Sequence, residues 1–310
     1  METRDKKGIV VYLLIAFGGA WLIWITAWRL GVPATSPQFQ LVAIPSGFVP
    51  ALAAIIVRRW ITREGFTDAG LRPRLRNNWP YYFFAWLYSL IVVGILIVLV
   101  AALGVSHPDF TLQRFVRVYL PGVNAPALPS AAWIFIIVEL LMGSVIFAPV
   151  SWGEECGWRG YLQMRLFRQQ PLLAAICTGI VWGVWHYPII LMGYEHYENV
   201  YLGLLIFPVV TVLLSIIFGW LRLKTDSVWP SSLAHSATNV IGGNMSLLLF
   251  LGGPNYFLVS YLGMLGWLPL GAICAWIIFT GKLKLAATTS SLVESSMPQR
   301  NHAPSSVMEE

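Results

Sequence analysis

Apolar residues in this chain run in long blocks separated by short polar segments. Eight blocks read as helices crossing a bilayer: 9–28, 41–57, 81–103, 132–150, 172–192, 200–221, 231–251 and 256–280. A hydrocarbon core of about 30 Å takes roughly 20 helical residues, because lipid offers backbone groups no partner outside their own segment. The first block follows Arg4, Lys6 and Lys7 as a signal peptide would, but its apolar run is longer than a signal core and seven more blocks follow, so it is read as a retained anchor. The pattern predicts an all-α fold, a polytopic membrane bundle of about eight transmembrane helices. It divides into three helices with their loops over 1–130, central helices over 131–255, a last span over 256–280 and a tail over 281–310. That tail is rich in Ser, Thr and Pro and reads as disordered. The segment 104–130, with four prolines, reads as a linker rather than a cap. No internal repeat of the transporter kind is visible.

Composition agrees. Hydrophobic residues make up 57% of 310 positions and charged residues 11%, against about 25% charged in soluble domains. Soluble, disordered and secreted disulfide-bonded classes are excluded, and Cys156, Cys177 and Cys274 show no CxxC spacing. Seventeen of the twenty basic residues fall in the N-terminus, 58–79, 151–171, the segment after 221 and the tail, while only Arg29, Arg114 and Arg117 fall on the other side. Positive segments stay cytoplasmic, so both termini are expected in the cytoplasm. The net charge of +6 then reflects topology and anionic lipid, not nucleic acid.

Ionisable residues near a span are costly and are therefore functional candidates. In the run Gly153–Arg159, helical spacing pairs Glu155 with Arg159 and turns Glu154 about 100° away as a free carboxylate. In 182–188, Trp182 and His186 share a face with Gly179 and Gly183, a small-xxx-small pair that lets a neighbouring helix approach. In the seventh block His235 stacks over Asn239, and Ser231, Ser232, Gly242 and Ser246 extend the polar stripe. Each cluster alone reads equally as packing. Together, a free carboxylate, two imidazoles and an amide are the parts that activate water and stabilise an oxyanion.

The three clusters resemble the signature of CAAX prenyl endopeptidases and bacteriocin-processing or abortive-infection membrane proteins: Glu-Glu-x-x-x-Arg, Phe-x-x-x-His and His-x-x-x-Asn/Asp. Glu154, Glu155 and Arg159 match the first, and His235 and Asn239 the third; the second has Trp182 in place of Phe, with His186 kept. The resemblance covers roughly 130–250 and makes 131–255 the catalytic core. It implies an intramembrane endopeptidase in a bacterial plasma membrane. Glu154 and His186 would activate water, His235 and Asn239 would hold the oxyanion, and Glu155 and Arg159 would support them. The family is commonly labelled metalloprotease, and Glu154, His186 and His235 could form a zinc site with an open water position. There is no HExxH, and the same residues also serve as a metal-free set, the reading favoured here.

The expected partners are a peptide or protein substrate, membrane-associated or lipidated, and the bilayer, with cleavage near the cytoplasmic face. The alternative is a non-catalytic immunity factor or scaffold that uses the cluster for packing. Depth raises a conflict: from Leu172, His186 lies about 21 Å along its helix, whereas His235 lies only about 6–8 Å along its own. Glu139 is expected inside the bundle, Cys156 as a packing residue, and Tyr194–Glu198 as a solvated turn, with cation binding as the alternative reading of that loop.

Overall fold

The computed structural model describes residues 3–283 apart from 35 and 125, so the tail predicted from 281 lies, from 284 onward, outside the described residues. Among the described residues every regular element is helical. In chain order these are α1 (Thr3–Arg29), α2 (Gln40–Gly47), α3 (Val49–Ile56), α4 (Leu75–Leu103), α5 (Gln113–Tyr119), α6 (Ala132–Ile146) and α7 (Ala148–Gly157). There follow α8 (Pro171–Trp185), α9 (Tyr187–Leu191), α10 (Val200–Thr225), α11 (Trp229–Ala237), α12 (Asn244–Phe250), α13 (Tyr256–Val259) and α14 (Trp267–Phe279). Wide π-helical turns occupy Val57–Ile61, Trp158–Leu162 and Thr238–Gly243.

Among the described residues four helices are long and apolar enough to cross a bilayer: Asp5–Arg29, Gln40–Ile61, Leu75–Leu103 and Val200–Thr225. A fifth crossing is supplied if α6 and its continuation Ala148–Leu162 count as one span bent by 45°. The chain is thus a multi-pass integral membrane protein. The other predicted spans are built from shorter pieces. The fifth block breaks at His186, which separates α8 from α9, where Pro188 cannot supply a backbone N–H to continue the ladder. The eighth is regular helix mainly over the 13 residues of α14, because Ser260–Gly266 form turns.

α10 is the central helix and packs along α8, α11 and α14. Its start is capped by Asn199, whose side chain accepts from the backbone N–H of Tyr201 and Leu202, both at 3.1 Å. Close approach to α8 depends on glycine: a Cβ on Gly179 would lie 2.6 Å from Val212 Cα, and one on Gly183 2.8 Å from Pro208 Cα. Thr211 Oγ1 donates to Gly179 O at 2.9 Å and Ser215 Oγ to Ala175 O at 2.7 Å, so hydroxyl-to-carbonyl bonds fasten the same seam.

The basic segments meet at one end of the bundle. There the nearly fully buried Arg58 is bound to Asp68 at 2.8 Å and to Gly160 O at 3.2 Å, Arg165 to Glu64 at 2.5 Å, and Arg222 to Asp226 at 3.0 Å. Part of the basic charge is therefore neutralised inside the protein. At the other end the remaining connections gather: Phe39 lies 5.7 Å from Tyr194, and Tyr197 lies 5.7 Å from Phe257, ring to ring. The 104–130 segment belongs to this end. Contrary to the linker expectation it is packed down, with Asp109 N donating to Leu249 O at 2.8 Å, Arg114 donating to Leu249 O at 3.0 Å, and α5 lying over α12.

Candidate active site

α7 carries the acidic pair. It lies close against α2 and α3 because a Cβ on Gly153 would meet Gly47 O at 2.7 Å and one on Gly157 would meet Pro50 Cβ at 2.5 Å. The Gly153-x-x-x-Gly157 spacing was a readable sign of this contact. The two carboxylates separate as the helical register requires. Glu155 is fully buried, and its Oε1 accepts from Arg159 at 2.7 Å and faces His235 Nδ1 at 3.0 Å. Glu154 is only partly buried and turns toward a cavity, where its Oε2 accepts from the indole N–H of Trp182 at 2.8 Å.

Trp182 joins the pieces. Its ring stands edge-on to His235 at 5.0 Å and to His186 at 5.7 Å, and the Arg159 guanidinium lies 4.7 Å from its centroid. This resolves the depth conflict. α8 does begin at Pro171, so the boundary stands; Trp182, one turn before His186, bridges the two imidazoles. The position read as an aromatic packing substitute is a hydrogen-bond donor to the free acid, a role that phenylalanine cannot fill.

Both imidazoles are anchored through Nδ1. His186 Nδ1 pairs with Trp182 O at 2.8 Å; a carbonyl only accepts, so Nδ1 carries the proton and Nε2 is the acceptor of the neutral ring. His235 Nδ1 faces a carboxylate, so its proton sits there too, leaving Nε2 without a partner among the described residues. Phe218 stacks on the His235 ring at 5.7 Å, and Phe207 lies 5.0 Å from that of His186.

Glu154, His186, His235 and Asn239 all line one cavity of about 550 Å³. His235 is buried within the wall, whereas Asn239, in the π-helical turn after α11, stands at the exposed rim. The stripe of small polar residues is largely satisfied by backbone: Ser231 donates to Phe218 O, Ser232 to Val228 O and Ser246 to Gly242 O. Those serines are packing groups.

Among the described residues no group of three or more His, Cys, Asp and Glu is arranged to hold a metal ion; Glu154, His186 and His235 share a cavity without forming such a group.

Other expectations sort clearly. Cys156 is buried and does not line the cavity. Glu139 is exposed on α6, not inside the bundle, because the face it occupies carries exposed Phe135, Val138 and Met142. Tyr194–Tyr197 is not a solvated turn: Tyr194, Glu195, His196 and Tyr197 line the same cavity as the motif residues. Alternation of apolar residues could not reveal this, since the segment is polar and short.

Residues 133–241 match the family model described as Rce1-like, type II CAAX prenyl endopeptidase, a family of proteases, and the match contains all three motifs. No curated protein matches the chain.

Proposed function

We propose, for a chain whose residues 133–241 belong to that protease family, that it is an intramembrane endopeptidase hydrolysing a peptide bond with water activated by Glu154 and His186. The observation that carries this reading is the placement of Glu154, His186, His235 and Asn239, drawn from three separate helical segments, on the wall of one cavity. In the proposed step, Glu154 takes a proton from water as its oxygen attacks the scissile carbonyl carbon. His186 Nε2 accepts a hydrogen bond from the water's other O–H and orients the nucleophile. His235, donating from Nε2 in its doubly protonated form, and the Asn239 amide bind the developing oxyanion. Collapse breaks the C–N bond, and the departing amine receives the proton from Glu154. Arg159 and Glu155 hold His235 in place.

We assign the chain eight passes with both termini on the cytoplasmic side. Glu154 follows the fourth apolar block, which favours cleavage near that side. The cavity lining, which continues to Gln40, Tyr119, Tyr194 and Tyr256 at the end opposite the basic segments, supports access from that opposite end. A packing role, as in a non-catalytic scaffold, accounts for Glu155 and Arg159 but not for a carboxylate facing a cavity. The test is purified protein in nanodiscs assayed by mass spectrometry against a mixed peptide library. Glu154→Gln and His235→Ala are each expected to abolish wild-type cleavage; full activity in both folded variants sinks the proposal.

A further inference from the structure

The cavity has a second polar pole. Its lining contains the carboxylates of Glu154 and Glu195 and three imidazoles, but no lysine or arginine. Glu154 is engaged by Trp182. Glu195 accepts no hydrogen bond and makes no ion pair among the described residues; instead, Tyr194, Tyr197 and Tyr256 lie within electrostatic reach of it. His196 does not neutralise it. That ring contacts Tyr119 through Nε2 at 3.4 Å, and burial holds its pKa below the usual value, which keeps it uncharged. A carboxylate without a lysine or arginine partner, sharing one cavity lining with three tyrosines, is chemistry suited to an ammonium or guanidinium group. The acid supplies the ion pair, and a tyrosine ring that meets the cation with its negative face adds cation–π attraction.

We propose that Glu195, with Tyr194, Tyr197 and Tyr256, forms a recognition subsite for a basic side chain of the peptide substrate. This rests on the endopeptidase reading and adds a specificity to it. The subsite lies in the same cavity as Glu154, so a peptide held there spans the distance between its basic residue and its scissile bond within one enclosure. It also lies at the end formed by the 31–39, 104–130 and 193–199 connections, opposite the protein's own buried arginines. A basic peptide approaching from that end meets no lysine or arginine in the lining.

The test uses full-length protein in nanodiscs and quenched decapeptides that differ only by lysine or norleucine at one position, scanned along the chain. At one position, wild type is expected to prefer lysine by about tenfold in kcat/KM, and Glu195→Gln to bring that ratio to within twofold of one. An unchanged ratio in the variant, or no lysine preference at any position, overturns the subsite. A second measurement is independent of turnover: binding of the lysine and norleucine peptides to Glu154→Gln protein, followed by quenching of tryptophan fluorescence. Adding Glu195→Gln to that protein is expected to weaken lysine-peptide binding about tenfold and to leave norleucine-peptide binding within twofold; equal effects on both overturn the proposal. If Glu154→Gln protein still cleaves, the endopeptidase mechanism fails, while the binding comparison continues to decide the subsite.

Discussion

The indole N–H of Trp182 donates to Oε2 of Glu154 across 2.8 Å, joining α8 to α7 at the point where their motifs meet. The residue that departs from the Phe-x-x-x-His pattern is therefore the one that fixes the orientation of the proposed base. A hydrogen bond to a charged group contributes about 1.5–3 kcal/mol. Replacing Trp182 by Phe keeps an aromatic ring and removes the donor. Its expected outcome is a fall in kcat of about ten- to hundredfold with KM within threefold, read by steady-state kinetics on the quenched peptides. Unaltered kcat would show that the bond does not orient the base.

Arg159 and Glu155 are both fully buried and joined at 2.7 Å. Breaking such a pair leaves one charge without compensation and costs about 3–5 kcal/mol. Arg159→Met is expected to lower the unfolding midpoint markedly in detergent. Arg159→Met combined with Glu155→Gln is expected to recover part of the loss, since neither charge then remains. A double variant as unstable as the single one would contradict the account.

The seam between α8 and α10 has no room at Gly179, where the nearest obstacle to a Cβ is the Val212 backbone at 2.6 Å. Gly179→Ala should cost about 1–3 kcal/mol through overpacking. By contrast, a Cβ on Gly271 in α14 would meet nothing within 4 Å, and Gly271→Ala should be neutral or stabilising by up to about 1 kcal/mol. Thermal unfolding of the two variants side by side distinguishes a packing seam from ordinary glycine flexibility.

Burial pushes the Glu195 carboxyl up to about 7. The groups facing it are Tyr194, Tyr197, Tyr256 and the uncharged His196, and Tyr119 lies behind that imidazole. The sign follows: below about 7 the carboxyl is neutral and attracts no cation, and above it the ion pair is available. Lysine-over-norleucine selectivity should be present at pH 8 and largely lost at pH 6. Selectivity that is flat between those values would remove Glu195 from recognition.

Local relations were legible in the sequence, and distant ones were not. Helical spacing alone separates Glu154 from Glu155 and pairs the latter with Arg159, because residues four apart share a face whatever surrounds them. The same rule turned Gly179 and Gly183 toward a neighbour. It could not show that Trp182 would reach Glu154, 28 positions earlier, since that depends on how α7 leans after the 45° bend. Nor could it show that a short polar connection would fold inward: Glu195 looks like solvent-facing loop until Tyr119 and Tyr256, from distant segments, enclose it. Apolar runs predicted crossings well where one helix spans the block, and less well where turns interrupt it, as at Ser260–Gly266.

The wide turn at Thr238–Gly243 holds one residue more than an ordinary helical turn would need. Removing one position there would let the backbone relax into regular winding over about the same rotation, because an i→i+5 turn takes up its extra residue locally. Ser246, whose hydroxyl receives the Tyr261 amide at 2.7 Å, would then keep its face. What a one-codon deletion would displace is the turn itself, which carries Asn239 on the cavity lining, so the fold should tolerate it better than the site does.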